Sequence, residues 1–124
     1  MILGIGTDIV EVERVAHAFK RHGARFAKRI LTVSEYTIFT THHQPSHFLA
    51  KRFAAKEALV KALGTGFRQG IDWHGIEIRN TESGKPMIEL AAGALAVYHN
   101  MGASHIHLSL TDEKSYALAF VIIS

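Results

Sequence analysis

The chain has 124 residues, of which 48% are hydrophobic and 20% charged, a composition typical of one globular domain spanning 1–124. It has no cysteine, which excludes disulfides and thiolate metal sites, and no apolar run near the ~20 residues that span a bilayer. The amino terminus has no basic segment and carries an acid at position 8. We therefore expect no signal peptide, no membrane partner and a cytoplasmic protein.

The net charge of +3 is concentrated in one segment, residues 14–29. This segment has no acid, and its cations are Arg14, Lys20, Arg21, Arg25, Lys28 and Arg29. Such a block predicts an acidic partner, which could be nucleic acid, a membrane surface, an acidic protein or a phosphorylated small molecule.

The first third of the chain predicts a strand and then short helices. In residues 2–10, one face alternates apolar side chains, and the other carries Gly4, Gly6 and then Asp8. Glycines in a strand indicate the close approach of a backbone or a ligand. From this segment alone, a structural role for Asp8, as a strand-end or helix-capping acid, is as well supported as a functional one. An amphipathic helix follows over 11–22, then a basic stretch over 24–31.

A short helix through residue 41 is predicted to begin at Thr32 or Ser34, with Glu35 near its amino terminus. His42, His43 and His47 come next. No carboxylate or cysteine completes a zinc spacing among them, so we favour a loop over a metal cluster.

The longest predicted helix covers residues 46–66, with Pro45 before it and Gly64 and Gly66 at its end. Its apolar arc also contains Arg52 and Lys56, which could extend out of an apolar face to solvent. On the opposite side, Glu57 and Lys61 are four residues apart, beside small alanines (Ala50 and Ala54) that would let a ligand approach. The alternative for this pair is an ordinary solvated ion pair.

The second half of the chain predicts strands around a short helix. Strands are expected over 71–79, 86–90, 104–111 and 116–123, and the helix over 91–100. Residues 116–123 are apolar on both faces, which predicts the central strand. The order of elements indicates an α+β fold with a mostly antiparallel sheet against one long helix and shorter helices.

Asp8, Glu57, Lys61 and His107 are candidates for one site. Two carboxylates far apart in sequence suit a hard ion such as Mg²⁺, which keeps waters and substrate phosphates as further ligands. The nearby cations Arg52, Lys56 and Lys61 suit phosphate oxygens.

Four segments resemble the holo-[acyl-carrier-protein] synthases, the short, single-domain branch of the 4′-phosphopantetheinyl transferases. They are GIGTDIVEVERV at 4–15, FLAKRFAAKEALVKALGTG at 48–66, SGKP at 83–86 and HLSLTDEKSYALAFVII at 107–123. The motifs GxDI and KEAxxKA, at this separation and in this order, are highly specific together. The resemblance runs from about residue 2 to the carboxyl terminus.

The resemblance implies transfer of phosphopantetheine from coenzyme A to a serine of apo acyl carrier protein, with release of adenosine 3′,5′-bisphosphate, in support of fatty acid biosynthesis. It also implies Mg²⁺ and a homotrimer with active sites between subunits. By residue, it implies a metal at Asp8 and Glu57 and catalysis by Glu57 and Lys61. The implied coenzyme contacts are Arg52, Lys61, Gly64, Gly84, Lys85, Pro86 and His107, and the implied carrier-protein contacts are Arg14, Arg21 and Arg25.

Two questions stay open at this stage. The serine nucleophile needs a base, either Glu57 or a metal-bound water. Many members have histidine where this chain has Asp112, so no role for that histidine is carried over.

The alternative from another class is a non-enzymatic basic module that binds nucleic acid through residues 14–29. The aromatics of that block are Phe19, on the predicted buried stripe of the helix, and Phe26, better placed as an anchor. They offer no stacking platform, and no nucleic-acid motif is present, so we expect no nucleic-acid partner.

Overall fold

The computed structural model describes all 124 residues, and its elements follow the predicted order. No helix combines the length and the apolar character needed to cross a membrane. A single 3-10 turn, Trp73–Gly75, precedes the second strand. The elements are β1 Gly4–Glu11, α1 Val12–His22, α2 Ala24–Ile30, α3 Val33–Thr41, α4 Pro45–Leu63, β2 Ile76–Asn80, β3 Pro86–Leu90, α5 Ala92–Asn100, β4 Ile106–Asp112 and β5 Tyr116–Ile123.

Two antiparallel sheets lie beside the long helix α4, so the predicted α+β class is confirmed. The larger sheet has the order β1-β5-β4, and the smaller one is the β2-β3 hairpin. The doubly apolar β5 is the central strand, as its sequence predicts. Helix α4 has proline in its first turn and ends at Gly64, whose φ of 79° is the left-handed conformation that glycine adopts readily.

The glycine face of β1 packs directly on α4. A Cβ added to Gly4 would lie 2.0 Å from the carbonyl oxygen of Ala62, and one added to Gly6 would lie 1.9 Å from that of Ala58. Only glycine permits this approach, because any side chain would push the strand off the helix. The close approach that the glycines predicted is therefore between strand and helix backbones.

This packing corrects one interpretation. Ala50 and Ala54 are fully buried, so they form no open floor beside Glu57 for a ligand. The alanines of α4 let the helix lie close to the sheet, and the only side chains in its second half that reach solvent are Phe53, Glu57 and Lys61. These three positions lie four residues apart and form one stripe along the helix.

The two cations in the apolar arc of α4 do not extend to solvent. Lys56 is fully buried, and its ammonium donates to Glu35 Oε1 at 2.7 Å, to the Ile30 carbonyl at 2.7 Å and to the Trp73 carbonyl at 3.1 Å. Burial lowers the pKa of Lys56, and Glu35 opposes that effect. Because three acceptors use all three ammonium protons, Lys56 has none left for a phosphate, and its predicted phosphate role is wrong.

Glu35 is the centre of this buried cluster. It completes a capping box with Thr32 at the start of α3, which confirms Thr32 as the cap. Its second oxygen accepts from the Ile78 backbone N–H at 2.8 Å and lies 3.6 Å from Arg52 Nε. One carboxylate thus joins α3, α4 and β2 around paired charges, which buried ions require.

Candidate active site

Asp8, Glu57 and Lys61 lie together where β1 passes over α4. Asp8 is on the glycine face of β1, two residues after Gly6, so its side chain points toward the helix. Lys61 donates to Asp8 Oδ1 at 3.1 Å and to the Thr7 carbonyl at 2.9 Å. The sequence prediction that these three residues meet is consistent with this geometry, and the ion pair of Lys61 is with Asp8 on the strand instead of with Glu57 on its own helix.

The electrostatics of this junction favour a cation. Burial raises the pKa of Glu57, and the negative charge of Asp8 raises it further, against the opposing effect of Lys61. The second carboxylate oxygen of Asp8, Oδ2, is buried and has no hydrogen-bond partner. A buried carboxylate oxygen without a donor is costly, and a positive ion beside it would remove that cost.

Asp8 and Glu57 fit a magnesium ion better than a zinc ion. No group of three or more histidine, aspartate or glutamate side chains comes together as a metal cage. Mg²⁺ typically binds one or two carboxylates and completes its shell with water and substrate phosphates. The unpartnered Asp8 Oδ2 and the neighbouring Glu57 provide such a donor pair.

A groove of about 340 Å³ opens beside Asp8 between β1 and α1. Its walls include Arg14 and the apolar side chains of Val15, Phe26 and Phe53. Arg25 shares an adjoining concavity with Phe26. Of the predicted partner-binding cations, Arg14 lines this groove, Arg25 lines the adjoining concavity, and Arg21 is exposed two turns after Arg14 on α1.

A second cleft, of about 440 Å³, contains three of the residues predicted to contact the coenzyme. Arg52, Gly84 and Pro86 all line it, and no acid does. Arg52 stacks over the Phe48 ring, with its guanidinium carbon 4.5 Å from the ring centroid. We call this the Arg52 cleft; its remaining lining residues are Ile38, His42, Phe48, Lys51, Asn80 and Leu110.

The structure does not bring the other predicted residues into either concavity. Gly64 ends α4, three residues after Lys61. Lys85 is exposed in the hairpin turn between the lining residues Gly84 and Pro86. His107 is exposed on β4, with Nε2 3.3 Å from Ser124 Oγ. It pairs with Ile122, and its side chain is on the sheet face that α4 does not cover.

The two concavities lie on different sides of α4. Arg52 and Glu57 are five residues apart, which turns their side chains about 140° from each other around the helix axis. The two linings share no residue. Within one chain, therefore, the carboxylate pair and the Arg52 cleft are separate.

Sequence reasoning missed several side chains of the Arg52 cleft. Asn80 accepts from Arg52 and donates to the Gly84 carbonyl. Lys51 lines the cleft and pairs with Asp112 at 3.5 Å. Burial and neighbouring cations lower the pKa of His42. Asn80 ends β2, His42 follows α3 and Lys51 lies within α4, so no common local pattern connects them and only their positions in three dimensions identify them.

The sequence pattern described as the 4′-phosphopantetheinyl transferase superfamily matches residues 4–121. The chain is therefore an enzyme of the transferase class, and the non-enzymatic alternative is wrong. A relative from Shewanella baltica, holo-[acyl-carrier-protein] synthase, is 53% identical over 122 residues, covering 98% of this chain and 96% of that protein. A relative from Vibrio vulnificus with the same name is 52% identical over 121 residues, covering 98% and 96%.

Solved structures agree with these relatives. The holo-[acyl-carrier-protein] synthase of Neisseria meningitidis has a TM-score of 0.94 at 42% identity, covering 100% of this chain and 99% of that one. Within the superfamily, the chain belongs to the holo-[acyl-carrier-protein] synthases. The synthase of Bacillus anthracis, described in complex with CoA (3′,5′-ADP), has a TM-score of 0.83 at 34% identity, covering 99% and 96%.

Proposed function

We propose that this enzyme transfers 4′-phosphopantetheine from coenzyme A to a serine hydroxyl of apo acyl carrier protein and releases adenosine 3′,5′-bisphosphate. We propose further that Mg²⁺ binds Asp8 and Glu57 and that the reaction serves fatty acid biosynthesis in the cytoplasm. The observation that carries the proposal is the buried, unpartnered Oδ2 of Asp8 beside Glu57 and Lys61. The names of the relatives and the coenzyme in the Bacillus anthracis complex support it.

The residues of the junction suit a phosphoryl-centred transfer. The serine oxygen forms a bond to the phosphorus that carries the pantetheine arm, and the bond from that phosphorus to the oxygen of the departing nucleotide breaks. Lys61 is exposed enough to reach that oxygen and stabilises its negative charge or donates a proton to it. When bound, Mg²⁺ supplies electrostatic stabilisation of the diphosphate.

Glu57 is suited to accept the proton of the serine hydroxyl. In the metal-free protein, burial and Asp8 raise the pKa of Glu57, so this carboxylate has a greater affinity for a proton than an ordinary glutamate. The two roles of Glu57, metal ligand and base, draw on different oxygen lone pairs of the same carboxylate.

The groove beside Asp8 is suited to receive the carrier protein. An acidic partner would be attracted by Arg14, Arg21 and Arg25, and its apolar side chains would fill the depression lined by Val15 and Phe26. This placement brings the partner's serine next to Asp8 and Glu57, so recognition and chemistry share one edge of the molecule.

We propose a homotrimer because one chain carries the site in separate parts. The Arg52 cleft and His107 both lie away from the carboxylate pair, so one coenzyme molecule contacts all of them only if neighbouring subunits contribute different parts. The uncovered face of the larger sheet supports this. It exposes Ile5 (56%), Ile9 (61%) and Phe120 (39%), an apolar surface suited to a second copy.

Mass spectrometry of apo acyl carrier protein after incubation with the enzyme, coenzyme A and Mg²⁺ tests the activity. We expect the carrier protein to gain one phosphopantetheine mass, and a chelator to prevent the gain. Unmodified carrier protein under these conditions, with enzyme shown to be folded by circular dichroism, would overturn the proposal.

Single variants test the assigned residues. Asp8→Ala and Glu57→Ala should abolish Mg²⁺-dependent transfer, and Lys61→Ala should lower the rate by on the order of 10². Glu82→Ala, which removes an exposed acid in the hairpin turn, is the matched control and should retain the wild-type rate. Full activity in Asp8→Ala or Glu57→Ala would refute the metal site.

A further inference from the structure

Asn80, the last residue of β2, bridges the two walls of the Arg52 cleft. Its Oδ1 accepts from Arg52 Nη2 at 3.2 Å, and its Nδ2 donates to the Gly84 carbonyl at 3.1 Å. Arg52 belongs to α4, whereas Gly84 belongs to the turn between β2 and β3. One amide side chain therefore connects a helix to a turn on the far side of the cleft.

Arg52 has little freedom of its own. Its guanidinium stacks on Phe48 with 4.5 Å to the ring centroid, and its Nε lies 3.6 Å from Glu35 Oε2. Through Glu35 the guanidinium is linked to Ile78 of β2, but neither contact reaches the turn between β2 and β3. Asn80 is the partner that fixes the guanidinium relative to the turn.

The turn would otherwise be tied only to its own hairpin. The Gly84 N–H donates to the Thr81 carbonyl at 2.8 Å, the Thr81 N–H donates to the Lys85 carbonyl at 2.8 Å, and the Lys85 N–H donates to Thr81 Oγ at 3.1 Å. These bonds set the shape of the turn but not its distance from α4. The bond from Asn80 to the Gly84 carbonyl adds the link that sets that distance.

We propose that Asn80 is a positioning residue for coenzyme binding, which sets the spacing between the Arg52 guanidinium and the Gly84–Pro86 turn. The inference depends on the proposed function, because it takes the occupant of the Arg52 cleft to be the nucleotide end of coenzyme A. The cleft bears Arg52 and Lys51 and no acid, which suits a phosphorylated nucleoside. Walls fixed before binding reduce the ordering that the ligand must impose, so the bridge should affect affinity rather than turnover.

The test compares Asn80→Ala with Asn100→Ala, the same change at an exposed asparagine at the end of α5. For Asn80→Ala we expect the KM for coenzyme A, and the Kd for adenosine 3′,5′-bisphosphate by calorimetry, to rise roughly tenfold, the effect of losing a hydrogen bond to a charged group. We expect kcat, the KM for acyl carrier protein and the melting temperature to change little. A merely structural role would instead lower the melting temperature and the active fraction at constant KM.

A second variant separates the two hydrogen bonds. Asn80→Asp keeps an acceptor for Arg52 but has no donor for the Gly84 carbonyl. In ¹H–¹⁵N spectra of the ligand-free enzyme, we expect Asn80→Ala to shift both the Arg52 Nη–H signals and the turn amides 81–85. Asn80→Asp should shift the turn amides and leave the Arg52 Nη2–H protected from exchange, because the acceptor for that group remains.

The outcomes distinguish this inference from the proposed function. If the wild-type enzyme transfers phosphopantetheine but Asn80→Ala leaves the KM for coenzyme A unchanged, the inference fails and the proposed function stands. If the wild-type enzyme does not bind coenzyme A, the proposed function fails and the coenzyme role of Asn80 fails with it. The spectra then still decide whether Asn80 couples Arg52 to the turn.

Discussion

Substituting Gly6 by alanine should damage the candidate metal site without touching a candidate ligand. The added Cβ would lie 1.9 Å from the Ala58 carbonyl oxygen, whereas a normal carbon–oxygen contact is about 3.3 Å. Backbone cannot move aside as a flexible side chain can. Strand β1 must therefore move away from α4 by about 1.4 Å at this point, the difference between those two distances.

This displacement is large on the scale of metal coordination. Asp8 follows Gly6 by two residues on the same face of β1, and Glu57 precedes Ala58 on α4, so the shift separates the two carboxylates. Mg²⁺ requires ligand distances of about 2.0–2.1 Å in near-octahedral geometry. A misplacement of ~1 Å in a catalytic constellation lowers rates by about 10²-fold. We expect the Mg²⁺ concentration for half-maximal activity to rise at least tenfold and kcat to fall by about that 10².

The assay is a Mg²⁺ titration of phosphopantetheine transfer, with urea denaturation beside it to measure stability. Overpacking of this kind lowers the free energy of unfolding by about 1–3 kcal/mol, so the variant should still fold. Gly102→Ala is the control, because a Cβ there meets open space although its φ of 77° makes alanine strained. It should lose stability but keep the wild-type Mg²⁺ dependence. A Gly6→Ala enzyme with unchanged Mg²⁺ dependence would refute the argument that this backbone contact sets the carboxylate spacing.

Three further predictions follow from contacts elsewhere in the chain. Lys56→Met leaves Glu35 buried without its ammonium partner and should lower the free energy of unfolding, measured in urea, by about 3–5 kcal/mol. Lys51→Met is the control: it removes a partly exposed ion pair and should lower that free energy by less than about 1 kcal/mol. Burial and Asp8 raise the pKa of Glu57, so metal-free enzyme should lose stability relative to Glu57→Gln as the pH rises from about 4.3, the value in an unfolded chain, through that raised pKa. Mg²⁺ should reduce the loss. Equal pH profiles of stability for the two proteins would contradict the prediction. Ile5→Arg on the uncovered sheet face should reduce the molar mass in light scattering to that of a monomer and should reduce transfer. Val33→Arg, at a side chain that is 86% exposed on α3, is the control and should change neither. A monomeric wild-type enzyme would contradict the trimer.

The sequence predicted the elements well because local signals agreed with one another. Pro45 and Gly64 bracket α4, Thr32 and Glu35 form the capping box of α3, and the doubly apolar run 116–123 is the central strand. These are short-range features, each with its own physical cause. The pairing of Asp8 with α4 is predicted differently, from the chemistry that two carboxylates share and from the family resemblance, since no local pattern connects residues 49 positions apart.

Side-chain partners across elements could not be read in the same way. Lys56 and Glu57 are adjacent, and both look like polar residues on a helix, yet one is fully buried and the other reaches solvent. The difference arises because Glu35, on another helix, provides a buried carboxylate for Lys56. Likewise, the alternation of β1 showed two different faces but not which one is covered, and the glycine face proved to be the one against α4.

The burial of Lys56 against Glu35 and the packing of the glycine face of β1 on α4 together explain why the candidate site forms where it does. Gly4 and Gly6 of β1 pack against the backbone of α4 at Ala62 and Ala58. This close contact leaves no room for a larger side chain of the helix to face β1. On another side, Lys56 must face Glu35, because an ammonium or a carboxylate left unpaired in the interior would be strongly destabilising. With both constraints met, the rotation of α4 about its axis is fixed, and Glu57 and Lys61 emerge at the one edge where Asp8 ends the glycine face. The buried ion pair and the glycine contacts are therefore conditions for the site, although neither touches the substrate.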